Sequence, residues 1–184
     1  MYNDMEIILK STGALIYVID LATYEILYVN NISEEEFGDV IGKTCYKVLQ
    51  KNQDFPCGFC PLQQQDINPL LLPIGTVYSW ENENSINHKH YLFTDRIIQW
   101  SDKRKVKVQI GIDITKQKQL EMQLLKEKND FIDSFEILIN STIEGLIIYD
   151  ENKYCIKTNS VAPKLLGYTK EEMIGKYALD FIAP

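Results

Sequence analysis

The sequence predicts an α+β protein in which a five-stranded antiparallel sheet carries short helices on one face. Three observations lead to this prediction. Strand-like segments come as a pair and then as a group of three, with short helical segments between the two groups. A long helical stretch with a seven-residue apolar repeat follows the last strand. The opening pattern of the chain also recurs about 130 residues later, which predicts the start of a second unit of the same kind.

The first part of the chain is expected to form a short helix, a β-hairpin and two further short helices. The two apolar runs ALIYVID and EILYVN are rich in β-branched residues, and Ala22-Thr23 lies near the turn between them. Ser33, followed by three glutamates, is typical of a helix start. The expected elements are a helix over 5–10, strands over 14–20 and 25–30, a helix from Ser33 and a helix over 44–50.

Three more strands are predicted over 75–81, 90–100 and 106–114, and the last two form a hairpin that turns at Ser101-Asp102-Lys103. The last strand alternates strictly. Val106, Val108, Ile110, Ile112 and Ile114 share one face, and Lys107, Gln109, Gly111 and Asp113 share the other. We expect one of these faces to be buried and the other to be wet or paired.

A long helix is predicted from Thr115 to Ser141. Its apolar residues recur in pairs every seven positions, with one phenylalanine between two of the pairs: Leu124, Leu125, Phe131, Ile132, Phe135, Leu138 and Ile139. Such a stripe predicts a partner helix and therefore a homodimer. The alternative is that the helix packs against its own domain.

The repeat relates residues 11–43 to residues 141–176. Both segments open with Ser-Thr, run into a strand that ends in aspartate, continue to a strand that ends in asparagine, and close on Ile-Gly-Lys. The predicted organisation is an N-terminal helix over 1–10, a sensor domain over 11–115, a linker helix over 116–140 and an incomplete second unit over 141–184. The later strands of the first unit have no counterpart in the second, so we expect the chain to be a fragment of a longer polypeptide.

These segments resemble a PAS domain. The resemblance rests on short motifs in a fixed order: residues 14–30, Phe37-Gly38, Ile41-Gly42-Lys43, Gly111-Ile-Asp-Ile-Thr115, and in the second unit Leu166-Gly-Tyr168, Glu171-Glu172 and Ile174-Gly-Lys176. It implies a sensory or dimerisation module of a bacterial signal-transduction protein. The output domain, a histidine kinase or a diguanylate cyclase with a GGDEF motif, would follow outside this chain.

Composition and motifs argue against other functions. The net charge of −7 and the pI near 4.9 disfavour nucleic-acid binding, which needs clustered Lys and Arg. The chain has no long apolar run and no signal-peptide pattern, so we expect a cytoplasmic protein without membrane contact in this fragment. Phosphate-loop, nucleophile-elbow and zinc-protease motifs are absent from the sequence, and the chain itself is not expected to be an enzyme.

Three cysteines near DFPCGFCPL leave several alternatives open. Cys57 and Cys60 form a Cys-x-x-Cys pair between Pro56 and Pro61, and Cys45 lies upstream. The thiols can be structural, can form a reversible disulfide, or can bind a metal, with Cys45 as a third ligand and His88 or His90 as a fourth. A small metal- or thiol-redox-binding protein is thus the alternative function. Cys155 is expected in a core.

Aromatic residues on neighbouring strands are the other candidate site. Tyr78, Trp80, Tyr91, Phe93 and Trp100 either line a pocket for a planar ligand or form a cross-strand aromatic ladder. His88 and His90 are expected to be surface residues. The cofactor therefore stays open among none, a small organic ligand and a metal at the cysteines.

Overall fold

The computed structural model describes residues 2–64 and 68–181, and the chain divides into two compact units that meet at Gln119 and Leu120. The first unit contains α1 (Tyr2–Ser11), β1 (Leu15–Asp20), β2 (Ile26–Val29), α2 (Asn31–Phe37), α3 (Cys45–Val48), α4 (Pro61–Gln64), a 3₁₀ turn (Pro69–Leu71), β3 (Val77–Glu83), β4 (His90–Gln99) and β5 (Lys105–Asp113). Helix α5 (Thr115–Ser141) begins in the first unit and continues into the second.

The first unit is built on a five-stranded sheet in the order β2-β1-β5-β4-β3, and all of its neighbouring strands are antiparallel. This confirms the predicted α+β fold with short helices beside an antiparallel sheet. The first and last strands of the first unit lie side by side inside the sheet, with β5 at its centre, so β1 pairs with β5 although about 90 residues separate them. β1 thus pairs with β2 in the opening hairpin on one side and with the closing strand, β5, on the other.

The main core lies on the sheet face that α2 and α3 cover. Leu15, Tyr17 and Ile19 of β1 meet Tyr91 and Phe93 of β4 there. Ile26, Val40 and Leu49 complete this cluster of buried residues. The face belongs to alternate residues of each strand, as the period of a β-strand requires.

The two faces of β5 are arranged unusually. Lys107 and Gln109 are buried on the core side, whereas Ile110 and Ile112 on the other side are 40% and 52% exposed. The polar face is therefore the inner face. Gly111 lies on this inner face. A larger residue would not fit there, because a Cβ atom at this position would lie 2.6 Å from the Phe93 ring. A burial assignment from apolarity alone would be wrong for Ile110 and Ile112, although it would be right for Val106, which is buried.

The second unit contains the end of α5, the hairpin of β6 (Ile147–Tyr149) and β7 (Cys155–Thr158), α6 (Val161–Leu166), α7 (Lys170–Met173) and a 3₁₀ turn (Ala178–Phe181). Cys155 is buried with Ala162 and Met173, so its predicted core position is confirmed. The predicted boundaries 1–10, 11–115, 116–140 and 141–184, and the identity of the second unit as a partial repeat, remain predictions.

One hydrogen-bond arrangement occurs in both units. The Asn30 carboxamide accepts from Ile16 N at 3.0 Å and donates to Leu9 O at 3.2 Å, which joins α1 to β1. The Asn159 carboxamide accepts from Leu146 N at 3.0 Å and donates to Ile139 O at 2.9 Å. Each asparagine thus fastens the end of the preceding helix to the start of the hairpin.

Candidate functional site

The cysteine loop folds as two successive tight turns. Cys60 N donates to Cys57 O at 2.9 Å, and Gln63 N donates to Cys60 O at 2.8 Å. Pro56 and Pro61 fix the φ angles on either side. Cys45, Cys57 and Cys60 are all free thiols and all half-buried. The loop therefore presents its two sulfur atoms from a restricted backbone.

All three thiols line one cavity between the sheet and the α3 side of the first unit. The cavity has a volume of about 50 Å³. A second cavity of about 40 Å³ shares the same three cysteines and Lys107. The remaining wall of the first cavity includes Tyr17, Tyr46, Phe59, Trp80, Phe93 and Gln109. The structure thus brings the cysteine loop and two of the predicted aromatic residues together in one site.

A buried ion pair forms the floor of this site. Lys107 Nζ lies 3.2 Å from Asp95 Oδ2, and the two side chains are 5% and 0% exposed. Trp80 Nε1 donates to the same carboxylate oxygen at 3.1 Å. In the described part of the chain, Asp95 Oδ1 has no hydrogen-bond partner. One carboxylate thus holds both the cation and the indole that face the cavity.

Both members of the ion pair have a raised pKa. Burial raises the pKa of Asp95, and the neighbouring Lys107 and Trp80 oppose that change. Burial by itself lowers the pKa of Lys107, but Asp95 and the nearby thiols outweigh it, so the pKa of Lys107 is raised. An ammonium group is therefore fixed beside the cysteines.

The thiols differ in their surroundings. Burial is the main cause that raises the pKa of Cys45 to about 12 and the pKa of Cys57 to about 11. Cys60 Sγ lies 4.0 Å from Lys107 Nζ, the atom that carries the positive charge. The arrangement therefore offers one thiol a cation and keeps the two others protonated at neutral pH.

The predicted aromatic set does not form a single pocket. Trp80 and Phe93 line the cysteine cavity, with ring centroids 4.7 Å apart. Tyr91 lines another cavity with Glu36 and Lys89. Tyr78 packs on a separate cluster around Ile97. Trp100 lies at the end of β4, outside the cysteine cavity as the structure describes it.

The histidines lie away from the cysteines. His88 Nδ1 is 3.2 Å from Glu83 Oε1, and its side chain is 73% exposed. His90 Nε2 is 3.8 Å from Glu83 Oε2. Among residues 2–64 and 68–181, no three His, Cys, Asp or Glu side chains are grouped so that they could hold a metal ion. The same residues contain no helix long and apolar enough to cross a membrane.

Four residues of the site were not anticipated from the sequence. Lys107, Asp95, Gln109 and Tyr17 bring charge and hydrogen-bonding groups to it. The signal that could have found the ion pair is the strand register, since Asp95 is paired with Gln109, and Lys107 is the diagonal neighbour on the same face. A lysine and an aspartate that are buried beside each other on adjacent strands are expected to form an ion pair.

The apolar stripe of α5 has two different environments. Leu124, Leu125 and Phe131 are 60% to 71% exposed, and Ile132 and Leu138 are exposed as well. Ile139, however, is buried, and with Phe135 it lines a cavity against the β6–β7 hairpin of its own unit. In the single chain Ile139 is thus covered by the hairpin of its own unit, and its role as a dimer contact stays a prediction.

Comparison with known proteins shows the fold. No family model matches the chain, and no curated protein matches it. An RNA-binding Light-Oxygen-Voltage receptor has a TM-score of 0.52 and 15% identity over 70% of this chain, which spans 37% of that receptor. The PAS domain of an HTR-like protein from Haloarcula marismortui has a TM-score of 0.48 at 15% identity, over 61% of this chain and 91% of that one. The PAS domain of nitrogen regulation protein NR(II) from Vibrio parahaemolyticus has a TM-score of 0.42 at 14% identity, over 59% of this chain and 97% of that one. The predicted fold is thereby confirmed: this chain contains a PAS-like domain.

Proposed function

We propose that the chain is the sensory and dimerisation part of a bacterial signal-transduction protein. In this proposal the first unit receives a signal at the cysteine cavity and passes it through α5 to an output domain, a histidine kinase or a GGDEF-type diguanylate cyclase, elsewhere in the same cytoplasmic polypeptide. The observation that carries the proposal is that β5 supplies Lys107 and Gln109 to the cavity and leads into α5 after a single residue, Ile114.

The junction between sheet and helix supports a mechanical relay. Thr115 N donates to Asp113 Oδ1 at 2.9 Å, and Thr115 Oγ1 accepts from His90 N at 2.9 Å. One turn later, Lys118 Nζ lies 2.7 Å from Glu81 Oε2, next to Trp80 of the cavity wall. A displacement of β3, β4 or β5 at the cavity would therefore change the first turn of α5.

The exposed part of the helix stripe supports a homodimer. Leu124, Leu125, Phe131 and Ile132 lie on one side of α5 and are all exposed in the single chain. Burying such side chains between two helices would stabilise a dimer by about 1.5 kcal/mol or more for each fully buried residue. In the proposed dimer these four residues of one copy pack on the same residues of the other.

Sedimentation velocity of a variant with Leu124, Leu125, Phe131 and Ile132 changed to Gln tests the dimer. The wild-type chain should sediment as a dimer and the variant as a monomer. Ile137, which is 71% exposed, lies on the opposite side of the helix and provides the control variant, Ile137→Gln. A variant that stays dimeric, or a control that dissociates equally, would refute dimerisation through this stripe.

The alternative, a metal- or thiol-redox-binding protein built on Cys45, Cys57 and Cys60, is distinguished by metal analysis of the purified protein. Stoichiometric zinc or iron that disappears in Cys57→Ser would favour the metal form of that alternative. A metal-free dimer favours the sensory module.

A further inference from the structure

We propose that the signal at this site is a hydroperoxide, and that it oxidises Cys60, which then forms a disulfide with Cys57. The site chemistry is an independent step, and only its consequence for α5 rests on the proposed function. The inference starts from the coincidence of three thiols, one buried cation and one small cavity.

Cys60 is the thiol that reacts first because it is the one beside the fixed ammonium group. Lys107 Nζ lies 4.0 Å from its sulfur atom and is held there by Asp95 at 3.2 Å. A nearby cation favours the thiolate, which is the nucleophile in thiol oxidation. Burial keeps Cys45 and Cys57 protonated instead. The contact with Lys107 and the burial of the other two thiols therefore favour Cys60 as the first thiol to react.

The size of the cavity favours a very small oxidant. Pockets for drug-sized ligands have volumes of about 300–1,000 Å³. The two cavities at the thiols have volumes of about 50 and 40 Å³. A water-sized molecule needs about 10–15 Å³ by the same kind of measure, so hydrogen peroxide fits and a flavin or a haem does not.

The chemistry balances without a cofactor. With hydrogen peroxide, Cys60 loses its proton and its sulfur attacks one peroxide oxygen, the O–O bond breaks, and the hydroxide that leaves takes up this proton, which gives a sulfenic acid and water. The Cys57 thiol then attacks the sulfenic sulfur, an S–S bond forms, the S–O bond breaks, and a second water leaves. Two thiols are oxidised to one disulfide, and one hydroperoxide is reduced.

The backbone places Cys57 as the second thiol. The turn that joins Cys57 O to Cys60 N brings the two residues together across three positions, and both sulfur atoms line the same two cavities. Cys45 comes from α3 on a different part of the chain. Formation of the disulfide changes the sulfur atom that lies 4.0 Å from Lys107 Nζ on β5, so the surroundings of the ion pair between β4 and β5 change.

Mass spectrometry of the full chain after brief treatment with hydrogen peroxide tests the site. We expect a loss of two hydrogen masses that maps to a Cys57–Cys60 disulfide. In Cys57→Ser, a sulfenic-acid trapping reagent such as dimedone should label Cys60. Cys155→Ser, in the core of the second unit, is the matched control and should leave the Cys57–Cys60 disulfide unchanged. Labelling of another cysteine, or no disulfide, would overturn the proposal.

The role of the cation has its own test. Lys107→Met should slow oxidation of Cys60 by about tenfold, because the cation beside its sulfur atom is lost, and Lys107→Arg should restore much of the rate. Because Lys107→Met leaves Asp95 unpaired, the double variant Lys107→Met with Asp95→Asn keeps the test valid if the single variant is unfolded. An unchanged rate in a folded variant would refute the role of Lys107.

The outcome for the relay is read separately. If the disulfide forms but sedimentation of the oxidised and reduced chains is identical and hydrogen exchange of α5 does not change, the redox site stands and its coupling to the helix fails. If α5 forms a dimer but no disulfide appears, dimerisation through α5 stands and the redox site fails.

Discussion

At the scale of single residues, the buried pair of Lys107 and Asp95 is the most consequential feature. The desolvation of two charges opposes folding, and only their mutual attraction offsets it. The side chains are 5% and 0% exposed, so removal of one partner leaves the other charged and without a counterion. A hydrophobic pair of similar volume would often stabilise the sheet at least as well, so the pair is not explained by stability alone.

We expect Lys107→Met to lower the free energy of unfolding by about 3–5 kcal/mol, the usual effect of breaking a buried pair. The double variant Lys107→Met with Asp95→Asn should recover most of this loss because no buried charge remains. Urea unfolding of the wild type, both single variants and the double variant gives the coupling energy. If the losses of the two single variants simply add up in the double variant, the two side chains do not interact.

The pKa of Cys57, raised by burial from its usual 9.0 to about 11, predicts its reactivity. Only the thiolate is alkylated, so the rate for Cys57 in the reduced, folded chain should rise about tenfold for each pH unit up to pH 10. Peptide mapping after short iodoacetamide treatment gives the rate. In the urea-unfolded chain the same rate should level off near pH 9. A plateau below pH 10 in the folded chain would contradict the burial effect.

At the scale of elements, the two asparagine clamps connect helices to hairpins. Asn30 and Asn159 are each 1% exposed, and their carboxamides bond to backbone groups of the preceding helix and of the following strand. Buried backbone groups need such partners, and water is not available to replace the carboxamide. The clamp is therefore a fixed connection between a helix end and a sheet.

We expect Asn30→Ala to lower the free energy of unfolding of the first unit by about 2 kcal/mol or more, since it leaves buried groups such as Ile16 N unsatisfied. Asn159→Ala should have the corresponding effect on the second unit. Asn129→Ala, on the exposed surface of α5, is the matched control and should change stability by less than about 0.5 kcal/mol. Urea unfolding measures all three, and equal effects at Asn30 and Asn129 would exclude the clamp.

At the scale of the whole molecule, α5 is the element that belongs to both units. Its apolar residues are exposed over Leu124 to Ile132, whereas Ile139 is already buried in the second unit. The helix therefore combines two of the alternatives raised by its sequence. One end packs on its own unit, and the middle retains an apolar surface that a second chain would cover.

If the chain is a homodimer, its apparent melting temperature should rise with protein concentration, since association stabilises the folded state by mass action. Calorimetry over a hundredfold range of concentration should show the increase for the wild type. The variant with Gln at 124, 125, 131 and 132 should melt at one temperature throughout. A concentration-independent wild type would contradict dimerisation.

The sequence by itself determined the order of the elements and their periods. Alternation in β5, the hairpin before Asn30 and the heptad repeat of α5 are local patterns, so each is expressed within one window of the chain. The resemblance between residues 11–43 and 141–176 is likewise local, and the paired clamps at Asn30 and Asn159 agree with it.

Only the tertiary structure decided which face of β5 is the inner one and which side chains meet in the cavity. Alternation defines two faces but does not say which of them the helices cover, and here the helices cover the face with Lys107 and Gln109. The partner that makes this possible, Asp95, lies on another strand and is brought close by the register of β4 and β5. A buried charge is stable only beside its counterion, so its position follows from long-range pairing and not from the local sequence.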